Sequence, residues 1–204
     1  MKYVAFDIGN VICHANMNPF IEEISTTFNI SLAEAARFLR SFQQIHDLGL
    51  TTMENQLRVW FDCKSEVVSQ RLIEHWNDSI KPNQKVIDSI NNMIDKGTKV
   101  ALLSNIGVEH AEMMKTKLPG VYHRSVRHFS CFVGARKPSM VYYQSFLMQN
   151  PEFKGCLYVD DLVENLEASK QFGFKPYNFD LENPQLSYKF IEIEWEMAKK
   201  DNET

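Results

Sequence analysis

The sequence predicts an α/β protein: a parallel sheet covered by helices on both faces, with a block of helices inserted after the first strand. Three observations predict it. Beyond Pro82, short runs that are apolar throughout alternate with stretches of helical period, and strands without polar alternation belong to sheets buried on both sides. Another such run, residues 2–6, opens the chain and stops at Asp7 and Gly9. From about residue 18 to residue 77 only helical patterns occur. The 204 residues suit one core with one smaller module: residues 1–17 and 78–204 as the core, 18–77 as the insertion.

Each element follows from local signals. Residues 2–6 read as a buried strand entering a tight loop. In the insertion, Ser31-x-x-Glu34 and Thr51-x-x-Glu54 have the capping-box pattern, and each opens an apolar-periodic stretch. Ala35, Phe38, Leu39 and Phe42 share one helical face; Leu57, Trp60 and Phe61 share another, with Gly49 marking the turn between. Asn83 is placed to cap a helix whose apolar face is Val86, Ile87, Ile90, Met93 and Ile94, and Gly97 ends it. A strand at 98–103, a helix at 108–117, a strand at 127–132 and a helix at 139–148 follow. A strand at 156–159, a helix at 163–172 stopped by Gly173 and a short strand at 175–179 come next. An amphipathic helix at about 186–198, with Phe190, Ile193, Trp195 and Met197 on its apolar side, completes the pattern.

Composition excludes several function classes. A hydrophobic fraction of 44% with 14 Phe is ample for a buried core. The net charge of −4, with no basic stripe, argues against a nucleic-acid binder. No apolar run approaches the roughly 20 residues that cross a bilayer, and Asp7 interrupts the N-terminal run too early for a signal peptide. Cys13, Cys63, Cys131 and Cys156 lack paired spacing, so they are expected to be reduced and mostly buried, in a reducing cytoplasm.

Ligands of open parallel sheets bind beyond the carboxyl ends of the strands. There the sequence places Asp7-Ile8-Gly9-Asn10, then Ser104-Asn105, then a loop with Arg136-Lys137-Pro138, and finally Asp160-Asp161. Three carboxylates, a hydroxyl and an ammonium collect at one edge. That set suits a phosphate: Lys and Ser hold anionic oxygens, carboxylates hold a hard divalent cation, and one carboxylate is left to attack.

The series FDIGNVI (6–12), LLSN (102–105), ARKPSMVYY (135–143) and YVDDLVENLEAS (158–169) resembles, in order, the four motifs of haloacid dehalogenase-like hydrolases. The helical block between the first two resembles the helical cap of one subfamily, and HDLGLT (46–51) is similar to the cap loop of its sugar-1-phosphate phosphatase branch. The resemblance implies a three-layer, Rossmann-like core with an inserted helical cap, and a Mg²⁺-dependent phosphatase. It implies Asp7 as nucleophile and metal ligand, Ser104 on a phosphoryl oxygen, Asn105 shaping that pocket, and Lys137 neutralising phosphate and nucleophile. Asp161 would ligate the metal, with Asp160 as ligand or support, the Gly9 carbonyl as a backbone ligand, and Asn165 orienting Asp161.

One position departs from the pattern. Most phosphatases that the chain resembles carry, two residues after the nucleophile, an Asp that protonates the leaving group; here Gly9 stands there. Loss of a general acid costs about 10²- to 10⁴-fold where the leaving group needs a proton. The expected substrate therefore has an acidic leaving group: a phosphorylated small molecule such as an anomeric sugar phosphate, or a phosphotyrosine protein admitted by the aromatic insertion. His14 and His46 are candidate donors, although packing or exposure is the simpler expectation for both, and Asp47 reads first as a loop carboxylate. Two alternatives stand beside the phosphatase: a metal-free 2-haloacid dehalogenase using Asp7, and a non-catalytic binding protein of the same fold.

Overall fold

The computed structural model describes residues 2–185, 187–189 and 191–192. Strand β1 (Tyr3–Phe6) leads through a tight loop to β2 (Cys13–Ala15). Four helices follow: α1 (Asn18–Phe28), α2 (Leu32–His46), α3 (Met53–Phe61) and α4 (Glu66–Asp78). β3 (Ile80–Pro82) returns antiparallel to β2. The alternating half comprises α5 (Gln84–Asp95), β4 (Lys99–Ser104), α6 (Val108–Lys117), α7 (Pro119–Arg124), β5 (Val126–Phe129), α8 (Ser130–Val133) and α9 (Met140–Gln149). It ends with β6 (Leu157–Asp160), α10 (Val163–Lys170) and β7 (Lys175–Asn178).

The five-stranded sheet has the order β5-β4-β1-β6-β7, with every pairing parallel. Successive residues along β1 serve opposite faces: Val4 and Phe6 join a core with α5 and α6, while Ala5 joins one with Tyr142, Tyr143 and Phe146 of α9. The helical block has a third core of its own, including Phe20, Phe38, Phe42, Leu57, Leu72 and Trp76. Among the described residues no helix is long and apolar enough to cross a membrane.

Several local expectations need correction. Ser31 makes the full capping box with Glu34, as expected, but α3 is capped by Thr52, whose hydroxyl accepts from the Asn55 amide, rather than by Thr51. Asn83 sits at the N-cap of α5 without capping it; its side chain donates to the Tyr188 hydroxyl instead. The strand expected over 127–132 ends at Phe129, because Ser130 turns to hydrogen-bond across the neighbouring loops. The antiparallel ribbon β2–β3 had no sequence signal: three residues show no alternation, and Pro82 argues against a strand except at an edge. Trp60 is 44% exposed rather than buried. All four cysteines are free, with Cys13 and Cys156 buried and Cys63 and Cys131 half-buried. The expected last helix is helical at 184–185, 187–189 and 191–192; Phe190, Ile193, Trp195 and Met197 lie outside the described residues.

Candidate active site

Three adjacent strands deliver the chemistry. Phe6 is in register with Leu102 of β4 and Val159 of β6, so Asp7 leaves the central strand between Ser104 on one side and Asp160 on the other. The Asp7 amide donates to the Val159 carbonyl at 2.8 Å, and the Ile8 amide donates back to Asp7 Oδ1 at 2.7 Å, fixing the carboxylate.

Lys137 comes from the loop after α8 and is almost fully buried. Its ammonium lies 3.0 Å from Asp7 Oδ1 and 2.7 Å from Asp160 Oδ2, and also donates to the Leu103 carbonyl and the Tyr158 hydroxyl. Asn105 locks this loop to the end of β4: its Nδ2 donates to the Lys137 carbonyl at 2.9 Å, and the Lys137 amide donates to its Oδ1 at 2.7 Å. Asn105 thus holds Lys137 through the backbone. The Lys137–Pro138 peptide is cis.

The two acidic residues after β6 differ. Asp160, fully buried, accepts from Lys137, the Tyr158 hydroxyl, the Leu162 amide and Asn165 Nδ2. Asp161 is half-buried and accepts from Asn10 Nδ2 at 3.1 Å. Asn165 therefore orients Asp160, not Asp161 as expected. Sequence reasoning gave no role to Tyr158 or Asn10; the positive φ of Asn10 (54°) is a turn signal that only the backbone reveals.

Asp7, Asp160 and Asp161 each offer an oxygen within 4.8 Å of the others. Burial pushes the Asp7 carboxyl up to about 7, Lys137 pulls against it, and Asp160 and Asp161 push further. Burial also raises Asp161, against the Asn10 hydrogen bond. Burial opposes the Lys137 ammonium, but Asp7 and Asp160 outweigh it and hold its pKa above the ordinary lysine value. An all-oxygen cluster whose carboxylates resist ionising together fits a hard divalent cation. Since Asp160 is already occupied by four donors, Asp7 and Asp161 are the better placed to hold one. Gly9 lies beside them, and a Cβ built on it meets nothing closer than Asp7 Oδ2 at 4.0 Å.

Ser104 is buried at the end of β4, and its hydroxyl makes no hydrogen bond among the described residues. With Gly9 and Asn105 it forms the floor of a chamber of about 180 Å³ roofed by Gln43, His46 and Trp76 of the helical block. His46 and His14 part company here. His46 is buried at the chamber wall, between Asp47 (Nδ1, 3.6 Å) and Glu109 (Nε2, 3.3 Å). Burial opposes its charged form, yet the two carboxylates raise its pKa. His14 is exposed on β2 and lines a separate groove of about 560 Å³ along the β2–β3 ribbon, which contains none of the residues gathered around Asp7. Asp47 is more than a loop carboxylate: it pairs with Arg136 at 2.9 Å, joining the block to the residue beside Lys137.

No protein-family model matches the sequence, and no curated protein matches it. Solved structures do. A HAD family enzyme from Bacteroides thetaiotaomicron, in complex with magnesium and inorganic phosphate, superposes with a TM-score of 0.75 at 15% identity, over 89% of this chain and 95% of that one. A HAD phosphatase from Thermococcus onnurineus gives 0.63 at 19% identity, over 88% and 86%. The L-2-haloacid dehalogenase of Xanthobacter autotrophicus, with chloropropionic acid covalently bound, gives 0.59 at 13%, over 87% and 77%. Strand order, the inserted helices and these superpositions together show that the chain has the fold of the haloacid dehalogenase-like enzymes.

Proposed function

We propose that the chain is a Mg²⁺-dependent phosphatase acting on a phosphate monoester, with Asp7 as nucleophile. The observation that carries this reading is the Lys137 ammonium bridging Asp7 and Asp160, with Asp161 in the same oxygen cluster and the unengaged Ser104 hydroxyl on the neighbouring strand. A phosphoryl group seated there meets Ser104 and Lys137, which bind its oxygens and orient phosphorus towards Asp7. The Ile8 amide and Lys137 keep the Asp7 carboxylate aligned for attack. Attack of Asp7 on phosphorus breaks the ester P–O bond, the leaving group departs with its oxygen and takes a proton from solvent, and water then hydrolyses the aspartyl-phosphate to restore Asp7 and release inorganic phosphate. Asp7 and Asp161, with the Gly9 carbonyl beside them, would hold a Mg²⁺ ion, which would supply positive charge against the repulsion between carboxylate and phosphate dianion. The complex of the Bacteroides thetaiotaomicron enzyme with magnesium and inorganic phosphate supports Mg²⁺ as the cation and phosphate as the group bound.

The helical block, residues 18–77, serves as the cap that closes over the phosphate and selects the leaving group. A dehalogenase needs no such cation cluster, so three convergent carboxylates favour phosphate chemistry. Hydrolysis of p-nitrophenyl phosphate with Mg²⁺, with EDTA, and by Asp7→Asn tests the proposal. Turnover should require both the metal and Asp7. Chloride release from a 2-haloacid without metal would establish the dehalogenase instead, and no turnover of either would leave a binding protein.

A further inference from the structure

Beneath the site, on the α9 side of the sheet, lies a layer of buried tyrosines whose hydroxyls end on different kinds of partner. The Tyr142 hydroxyl donates to the His128 carbonyl and lies 3.4 Å from the Ser104 carbonyl, and Tyr143 donates to the Asn165 carbonyl at 2.8 Å. Those partners are main chain. Tyr158 of β6 differs. It pairs with Ala5 of β1 and stands two residues before Asp160, so both side chains leave the strand on the same face. Its hydroxyl donates to Asp160 Oδ2 and accepts from the Lys137 ammonium at 3.0 Å. Tyr158, Asp160 and Lys137 are all almost fully buried.

Lys137 is short of protons for its surroundings. An ammonium has three N–H donors, yet four oxygens lie around Lys137 Nζ: Asp160 Oδ2 at 2.7 Å, the Leu103 carbonyl at 2.8 Å, and Asp7 Oδ1 and the Tyr158 hydroxyl at 3.0 Å. A phosphoryl oxygen seated beside Asp7 is a fifth claimant. Tyr158 relieves the shortage, because its own O–H serves Asp160. Burial, with Asp160 and Asp7 close by, pushes the Tyr158 pKa well above the ordinary tyrosine value, so that proton stays in place. With the Leu162 amide and Asn165 Nδ2 also donating, Asp160 keeps three donors when Lys137 turns away from it. Without the hydroxyl, Asp160 would hold the ammonium more tightly.

We propose that Tyr158 is a positioning residue for phosphoryl transfer: by donating to Asp160 it frees one Lys137 N–H for a phosphoryl oxygen while another stays on Asp7. The proposal rests on the phosphatase reading. Lys137 spans nucleophile and phosphoryl oxygen together only as the two approach, so the hydroxyl acts on the transition state more than on bound substrate. Tyr158→Phe removes the hydroxyl and keeps the ring, with its contacts to Tyr143 and Phe174 (centroids at 6.2 and 5.7 Å).

The test uses the full chain with Mg²⁺ and p-nitrophenyl phosphate. Tyr158→Phe should lower kcat about tenfold and leave KM within about twofold. Vanadate, which adopts the five-coordinate geometry of the transition state, should bind about tenfold more weakly in calorimetry, and inorganic phosphate nearly as before. In a Lys137→Met background Tyr158→Phe should cost nothing further, since the hydroxyl acts through the lysine. If Lys137→Met does not fold, the kcat and vanadate effects decide alone. An unchanged kcat, a loss carried in KM, equal weakening of vanadate and phosphate, or losses that multiply in the double variant would overturn the proposal and leave Tyr158 a packing residue. Absence of p-nitrophenyl phosphate turnover in the unaltered protein would instead sink the phosphatase reading, and this inference with it.

Discussion

Asp160 receives hydrogen bonds from a lysine, a tyrosine, a backbone amide and an asparagine, while Asp7 receives two and Asp161 one from a side chain. Burial is the largest cause of the Asp7 shift: against the pull of Lys137 its pKa rises to about 7. Asp7 binds a proton in the folded state at pH values where the unfolded chain has already lost it. Its contribution to stability is thus present below about 3.8 and lost as pH rises to about 7, by at most about 1.4 kcal/mol per pH unit. In EDTA, the melting temperature of Asp7→Asn relative to the unaltered protein should rise from pH 4 to pH 7 and level off above; a flat difference would contradict this origin of the shift. Gly9 allows a second prediction. There is room for a side chain, and φ is not in the left-handed region, so Gly9→Asp should fold. It should raise turnover of alkyl phosphates by about 10²-fold or more, while p-nitrophenyl phosphate, which needs no acid, gains far less. Equal gains on both would refute proton donation. Asp7, Ser104 and Asp160 were legible because each stands at the end of a buried apolar run, and Lys137 because it lies in the loop that follows the third such run. Asn10 and Tyr158 were not, because Asn10 and Asp161 are 151 positions apart and Tyr158 and Lys137 are 21, where no local pattern reports them.

Helix ends show what local sequence can and cannot carry. Ser31 and Glu34 cap α2 reciprocally within four residues, so the motif and the geometry coincide. Ser31→Ala should cost about 1 kcal/mol in chemical denaturation, with little change in kcat, since α2 presents His46 to the chamber from its opposite end. A loss of activity much larger than the loss of stability would mean that the cap also steers the chamber. At Thr51 and Asn83 the pattern misled. A threonine pair offers two caps one residue apart, and the backbone chose Thr52; Asn83 found a hydroxyl 105 positions away. The β2–β3 ribbon was invisible for a related reason: its strands exist through pairing with each other and not through their own composition.

At the level of the whole molecule, the class was readable because burial on both faces forces strands to be apolar throughout, a signal that survives without partner information; the strand order was not. The four helices between β2 and β3 lie where the sequence shows only helical patterns, so their class was readable too. What joins block to core was not: Asp47–Arg136, His46–Glu109 and the ring of His46 on Gly107 are contacts between distant segments. The ribbon gives that arrangement a consequence. Ala15 pairs with Ile80, so the chain leaves the core and re-enters it at facing positions, and residues 16–79 amount to an oversized hairpin loop with a core of its own. Closing a longer or shorter loop on a fixed stem changes free energy only slowly with length. The stem is therefore a grafting point: one roof can be exchanged for another, or clipped to a short turn, without rewiring the sheet, and under the proposed role of the block this would change the leaving group accepted while the residues beneath it stay in place.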